Sequence, residues 1–264
     1  MAEITNLSEY REFLTYKDGK KSKVRHHVAK EVPLTIMLNG EELATLVCSP
    51  HSFELLAIGF LVSEGILQNH DQLKNITCRA EEGIVWVDAV DSTARADNLL
   101  RRTSASCGGK MRPASHFLND YKQIQPVVCR SSFTVKELLG YIALLDEKAG
   151  TFRLTGGVHE AALAHGESFV VRYEDIGRHN ALDRVLGYTF LNKIDASDKA
   201  VILSGRIASE MLTKSARIGV PIVVSKSAPT CLSIELAEQL GMTLVGFARG
   251  NSLNVYTHPD RVIG

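Results

Sequence analysis

Apolar positions along the chain change rhythm near its middle, and the change divides it into two kinds of structure. Residues 17–30 are polar and basic, with Lys17, Lys20, Lys21, Lys23, Arg25, His26, His27 and Lys30. They read as a solvated arm, with a partner-docking strip as the alternative. Leu34–Leu38 and Leu43–Val47 then flank Asn39-Gly40, which predicts a hairpin on a type I′ turn. Ser52–Leu67 follows as a helix that is apolar nearly all round and so buried. Ile76–Arg79 and Ile84–Asp88 predict a second hairpin around Glu81-Glu82-Gly83. From Asp91 to Pro126 the periodicity is weak, and the stretch reads as loops, where chemistry tends to sit.

From Thr134 the pattern is regular. Thr134-x-x-Glu137 is a capping box, and Val135, Leu138, Leu139, Ile142 and Leu145 mark one helix face. Strands are predicted near His159–Ala164 and Ser168–Tyr173, then a helix over Arg178–Leu191. Strand Ala200–Leu203, helix Ala208–Ile218, strand Ile222–Val224, helix Thr230–Leu240 and strand Leu244–Phe247 follow. The order α-β-β-α-β-α-β-α-β implies parallel strands with crossover helices in its alternating part. Such sheets bind ligands beyond the carboxyl ends of their strands. The chain thus divides into an arm (residues 1–30), an α+β domain (31–130) and an α/β domain (131–264).

Composition narrows the function. Thirty basic residues balance 30 acidic ones, which argues against a protein that coats nucleic acid or an anionic membrane. No apolar run approaches the ~20 residues of a membrane span. The first 16 residues lack the pattern of a secretory signal, and the five cysteines include no C-x-x-C pair. A reduced cytoplasmic protein without a thiolate zinc site is expected.

Three segments carry candidate chemistry. In Ser104-Ala105-Ser106-Cys107-Gly108-Gly109-Lys110, glycines free the backbone around Cys107. Arg101, Arg102, Lys110 and Arg112 supply charge that favours a thiolate. On these features Cys107 is either a nucleophile or an incidental loop cysteine. Cys48, Cys78, Cys129 and Cys231 sit in apolar patterns and read as core residues. The turns Glu174–Asn180, Ser204–Arg206 and Ser225–Thr230 offer backbone N–H groups that cradle phosphates or merely cap helices. Phe247-Ala248-Arg249-Gly250-Asn251-Ser252 leaves the last strand of the alternating run with an arginine among small residues, suited to a nucleotide or pterin, or to a turn into a final strand at Leu253–Tyr256. His159 reads as structural. A deaminase metal signature and a G-x-S-x-G elbow are both absent.

Taken together, Ser106-Cys107-Gly108, Thr155-Gly156-Gly157-Val158-His159, Asp175-Ile176-Gly177-Arg178-His179-Asn180-Ala181-Leu182-Asp183, Ser204-Gly205-Arg206, Ser227-Ala228-Pro229 and the Asn254-Val255-Tyr256-Thr257-His258-Pro259 ending resemble the formate dehydrogenase accessory sulfurtransferases, the FdhD family. The resemblance runs from about residue 30 to the end. It implies a cytidine-deaminase-like three-layer domain with a mixed sheet, without zinc, beside the N-terminal α+β domain. It also implies that Cys107 takes sulfur from a cysteine desulfurase as a persulfide. The sulfur then passes to the molybdenum cofactor, bis-molybdopterin guanine dinucleotide, before that cofactor enters formate dehydrogenase. Phe247, Ala248, Arg249, Gly250, Asn251 and Ser252 map onto the cofactor-contact segment, and a homodimer is the family expectation. Where the family shows Cys-Gly-x-Cys-Gly, this chain has Lys110 in place of the second cysteine. A chaperone that binds the cofactor without sulfur chemistry is the alternative, and a deaminase-like hydrolase a further rival.

Overall fold

A computed structural model describes residues 7–90, 124–127 and 131–264. The Cys107 loop, with Lys110 and its flanking arginines, and Cys129 lie outside the described residues. Strands β1 (Ser8–Lys17) and β2 (Lys20–Ala29) form a two-stranded antiparallel ribbon. The stretch expected as a solvated arm is therefore mostly its second strand. Asp18 and Gly19 make the turn at φ 51° and 74°. The next hairpin is as expected: β3 (Val32–Leu38) and β4 (Glu41–Cys48) turn on Asn39 and Gly40 at φ 51° and 87°.

Helix α1 (Phe53–Ser63) ends short of the expected Leu67. Gly65 and Ile66 donate their N–H groups back to Val62 O and Leu61 O, a closure that stops the helix. Strands β5 (Leu73–Arg79) and β6 (Ile84–Ala89) pair as a hairpin, and β6 also joins β3 in parallel. The resulting sheet has the order β4-β3-β6-β5.

The second half opens with the short β7 (Phe133–Thr134) and α2 (Val135–Lys148). Thr134 Oγ1 accepts from Glu137 N–H at 3.1 Å, and Glu137 Oε2 accepts from Thr134 N–H at 3.3 Å, completing the capping box. A short helix not anticipated, α3 (Gly150–Thr155), comes next. Then follow β8 (His159–His165), β9 (Ser168–Asp175), α4 (Arg178–Leu191), β10 (Ala200–Leu203), α5 (Ser209–Arg217), β11 (Ile222–Ser225), α6 (Cys231–Gln239), β12 (Thr243–Arg249) and β13 (Ser252–Thr257). A last short strand, β14 (Val262–Ile263), pairs with β7. The sheet order is β13-β12-β11-β10-β8-β9, with β10, β11 and β12 parallel.

Alternation along these strands builds a three-layer domain. Ala161, Leu163, Val201, Leu203, Val223 and Leu244 face the core on the α4–α6 side. The intervening Ala162, Ala164, Ala200, Ile202, Val224 and Val245 face α2. The fold is mixed α/β, as expected. Residues on either side of position 130 share one core, in which Leu34, Leu56, Leu182 and Leu244 belong to a single cluster.

Two glycines set the α1–α4 crossing. A Cβ on Gly59 would lie 1.6 Å from Asp183 O, and one on Gly187 2.0 Å from Leu55 O. Only helices stripped of side chains at that point approach so closely. Among the described residues no helix is long and apolar enough to cross a membrane.

Candidate functional site

Strands β10, β11 and β12 end on one edge of the sheet, where antiparallel β8 begins, and β9, antiparallel to β8, ends there too. That edge collects His159, the turn after Asp175, Ser204–Arg206, Ser225–Thr230 and the segment from Phe247. Segments far apart in sequence thus meet where such sheets bind ligands.

The Phe247–Ser252 segment is shaped by a bulge. Register with β13 shifts between Gly246 and Arg249, and Phe247 takes φ 51°. Positive φ is uncommon for an aromatic residue and costs on the order of 1 kcal/mol or more. Its N–H donates to Ser227 O at 3.1 Å, which holds the bulge against the neighbouring loop. The extra residue lets Val245 and Ala248 share the α2-side core. Phe247 is left exposed, with the Arg249 guanidinium 5.5 Å from its ring centroid. A flat ring backed by a cation is a stacking platform for a planar heterocycle. Gly250, Asn251 and Ser252 lie exposed in and after the turn, whereas Ala248 is buried and contributes packing.

The strand-to-helix turns are tied to one another and to neighbouring residues by several hydrogen bonds. Ser225 Oγ donates to Gly205 O at 2.6 Å and accepts from Ser227 N–H at 3.0 Å. Ile207 N–H donates to Ala228 O, and Thr230 N–H to Ile207 O. Gly177 N–H donates to Asp175 Oδ1 at 2.7 Å, and Ile176 N–H to Ser49 Oγ at 3.1 Å. These ties do not involve the N–H groups of Arg178, Gly205, Arg206 or Ala228, and no side chain caps the start of α4. The loops are thus cross-tied, and they carry side chains to the edge as well.

The long Asp175–Asp183 run separates into two jobs. Asp175 is fully buried and accepts from Ser49 N–H at 2.9 Å and Asn180 Nδ2 at 3.0 Å. It also pairs with buried Arg184, whose Nη2 donates to Ser49 O and His51 O at 2.9 and 3.0 Å. Asp183 holds Lys214 at 2.6 Å. The Asp175–Arg184 group clamps the end of β4 to α4, and the Asp183–Lys214 pair ties α4 to α5. Burial and the Arg184 charge push the His51 imidazole down to about 4, so it is neutral at physiological pH.

Arg178 and His179 are left for the edge. A Cβ on Gly205 would sit 3.3 Å from His159 Nδ1 and 3.8 Å from Arg178 Cδ, so the three residues converge. Arg178 Nε is buried without a hydrogen-bond partner. Burial and the Arg178 charge lower the His159 pKa. His179 Nε2 lies 3.6 Å from Glu210.

Beneath the same edge Glu160 and Glu174 stand directly opposite each other on β8 and β9. Both are buried and share Arg172, and Thr151 Oγ1 donates to Glu174 Oε2 at 2.6 Å. Burial pushes the Glu160 carboxyl up to about 7, against the pull of Arg172.

Of the described cysteines, Cys48 is buried, and burial and Glu54 push the Cys78 thiol up to about 11. Cys231 is exposed at the first residue of α6, not in the core as its apolar neighbours suggested. Helix α6 buries Ser233, Leu236 and Ala237 instead. A cleft of about 670 Å³ lined by Leu67, His70, Phe190 and Ile218 lies at the opposite end of the sheet and gathers none of the site residues.

Sequence reasoning did not anticipate the bulge or the clamp. A one-residue slip leaves no mark in composition, although the three-residue spacing of Val245 and Ala248 inside a strand is its trace. The clamp joins Ser49 to Arg184, a separation that periodicity does not span.

The structure is thus that of a mixed three-layer α/β domain, fused through one core to a small α+β unit and carrying a bulged aromatic–arginine pair at its sheet edge. The chain belongs to the FdhD/NarQ family, whose model matches residues 29–263. It is 44% identical over 257 residues to the sulfur carrier protein FdhD of Bacillus subtilis strain 168, covering 97% of this chain and 98% of that one. It is 42% identical to the protein of the same name from Staphylococcus aureus strain MRSA252, covering 94% of each. In structure it is similar to a protein from Desulfotalea psychrophila described as a formate dehydrogenase accessory protein. The TM-score is 0.81 at 27% identity, over 97% of this chain and all of that one.

Proposed function

We propose that the protein is a cytoplasmic sulfur carrier of formate dehydrogenase maturation, with Cys107 as the working thiol. The Cys107 thiolate attacks the terminal sulfur of a cysteine desulfurase persulfide. The donor S–S bond breaks, the donor leaves as a thiolate, and Cys107 holds the persulfide with no net oxidation or reduction. Release of that sulfur to the cofactor as sulfide consumes two electrons, which an external thiol supplies by forming a disulfide with Cys107. Lys110 at the family's second cysteine position means that the loop has no partner thiol at that spacing. The client, a molybdenum bis-molybdopterin guanine dinucleotide, lies with a guanine or pterin ring on Phe247. Arg249 and the turn at Gly250, Asn251 and Ser252 face its polar groups, Arg178 supplies positive charge at the same edge, and a symmetric homodimer pairs two such sites.

The observation that carries this reading is the bulged Phe247–Arg249 platform at the carboxyl edge of a chain so similar, end to end, to named sulfur carriers. The rival is a cofactor-binding protein that shields its client without sulfur chemistry; it needs the platform but not Cys107. Maturation of formate dehydrogenase in cells carrying Cys107→Ser separates the two. Loss of formate dehydrogenase activity with normal protein level is expected, and retained activity favours the rival.

A further inference from the structure

The β1–β2 ribbon takes no part in the clamp or in the candidate site. Its base is seated: Lys30 N–H donates to Leu7 O at 2.9 Å, and Leu7 and Ser8 are buried. A Cβ on Gly157 would touch Ala29 at 3.1 Å, and His159 at the carboxyl edge lies two residues on. Beyond that base two ten-residue strands run paired only with each other, about 30 Å at the usual rise.

One face of the ribbon exposes aromatic and aliphatic side chains beside cations. Tyr10, Leu14 and Tyr16 lie on one side of β1 and are 58%, 49% and 69% exposed, and Glu12 between them pairs with Lys23 at 3.1 Å. Lys23 and Lys21 stand directly across from Leu14 and Tyr16. The Arg25 guanidinium lies 5.3 Å from the Tyr10 ring centroid. Arg11, Lys17, Lys20, Lys21, Lys23 and Arg25 outnumber Glu9, Glu12 and Asp18, in a chain whose total charge is zero. The ribbon is therefore a positive arm on a body of opposite excess. Rigid aromatics between cations, held out in water on a two-stranded ribbon, contribute little to stability and suit recognition.

We infer that this ribbon is the docking surface for the protein that donates the sulfur, and that it grips an acidic strip on that partner. The inference rests on the function proposed above. A persulfide handed from thiol to thiol requires the two proteins to touch, and the ribbon springs from beside the edge where the sulfur is used.

The test measures affinity of the fluorescently labelled full chain for purified cysteine desulfurase by anisotropy. The K21E/K23E/R25E variant binds at least ten-fold more weakly, and Tyr10→Ser/Tyr16→Ser weakens binding at wild-type salt sensitivity. Wild-type binding falls as salt rises from about 0.05 to about 0.3 M. Both variants keep the wild-type melting temperature and take up sulfur on Cys107 from inorganic polysulfide at the wild-type rate. Wild-type affinity in the charge-reversed chain overturns the inference. So does a wild-type chain that binds an oligonucleotide or anionic vesicles but not the desulfurase. A chain that binds the desulfurase through the ribbon yet gains no sulfur on Cys107 supports the dock and contradicts the functional reading.

Discussion

Single residues decide how the site answers to pH. His51 titrates lower in the fold than in the unfolded chain, so its contribution is complete above about pH 6.5 and lost as pH falls toward about 4. Glu160 titrates higher in the fold, so its contribution is present below about pH 4.5 and lost as pH rises through about 7. The two slopes oppose each other between these limits. In urea denaturation series from about pH 4.5 to 6.5, His51→Gln is expected to gain stability relative to wild type as pH falls. Glu160→Gln is expected to lose it. At the edge, the proposed stacking of the client on Phe247, at ~1–3 kcal/mol per base, predicts that Phe247→Ala weakens a guanine nucleotide by roughly 5- to 150-fold in calorimetric titration. The eligibility of Phe247 and Arg249 was legible in the sequence. Their pairing was not, because it depends on a φ of 51° that no neighbouring residue announces.

At the scale of elements, the Asp175–Arg184 clamp and the Gly59–Gly187 crossing place α4, and α4 places Arg178. Arg184→Ala leaves Asp175 buried without its counter-charge and should cost about 3–5 kcal/mol in urea denaturation. Gly187→Ala drives a methyl group into Leu55 O and should cost at least ~2–3 kcal/mol. Gly140→Ala is the control, since a Cβ there meets nothing within 4 Å in the middle of α2, and it should stabilise by ~0.5–1 kcal/mol. Elements with strong local signals were readable: the Asn39-Gly40 turn, the Thr134 capping box and the βα alternation all match. The ribbon was missed although Asp18-Gly19 is the same kind of turn signal, because its strands lack a buried face and so lack alternation. Helix α1 was read too long because the apolar run continues through Ile66 and Leu67, which are buried beyond the helix end.

The whole molecule joins a small α+β unit and a three-layer domain through one core, so that the sheet's carboxyl edge, the base of the ribbon and the clamp lie together. Architecture and edge follow from hydrophobic pattern, whereas the proposal for Cys107 rests on the composition of its loop and on the family. Cys231, exposed at the start of α6, is the described thiol that a maleimide should label in the folded protein, whereas Cys48 should label only on unfolding. That contrast gives the background against which Cys107 is read. The most direct measurement is mass spectrometry of the Cys107 peptide after incubation with cysteine desulfurase and cysteine. One additional sulfur on Cys107, absent from the Cys107→Ala chain, is the result this account predicts. Sulfur uptake that persists in Cys107→Ala, or no uptake by the wild-type chain, would contradict it.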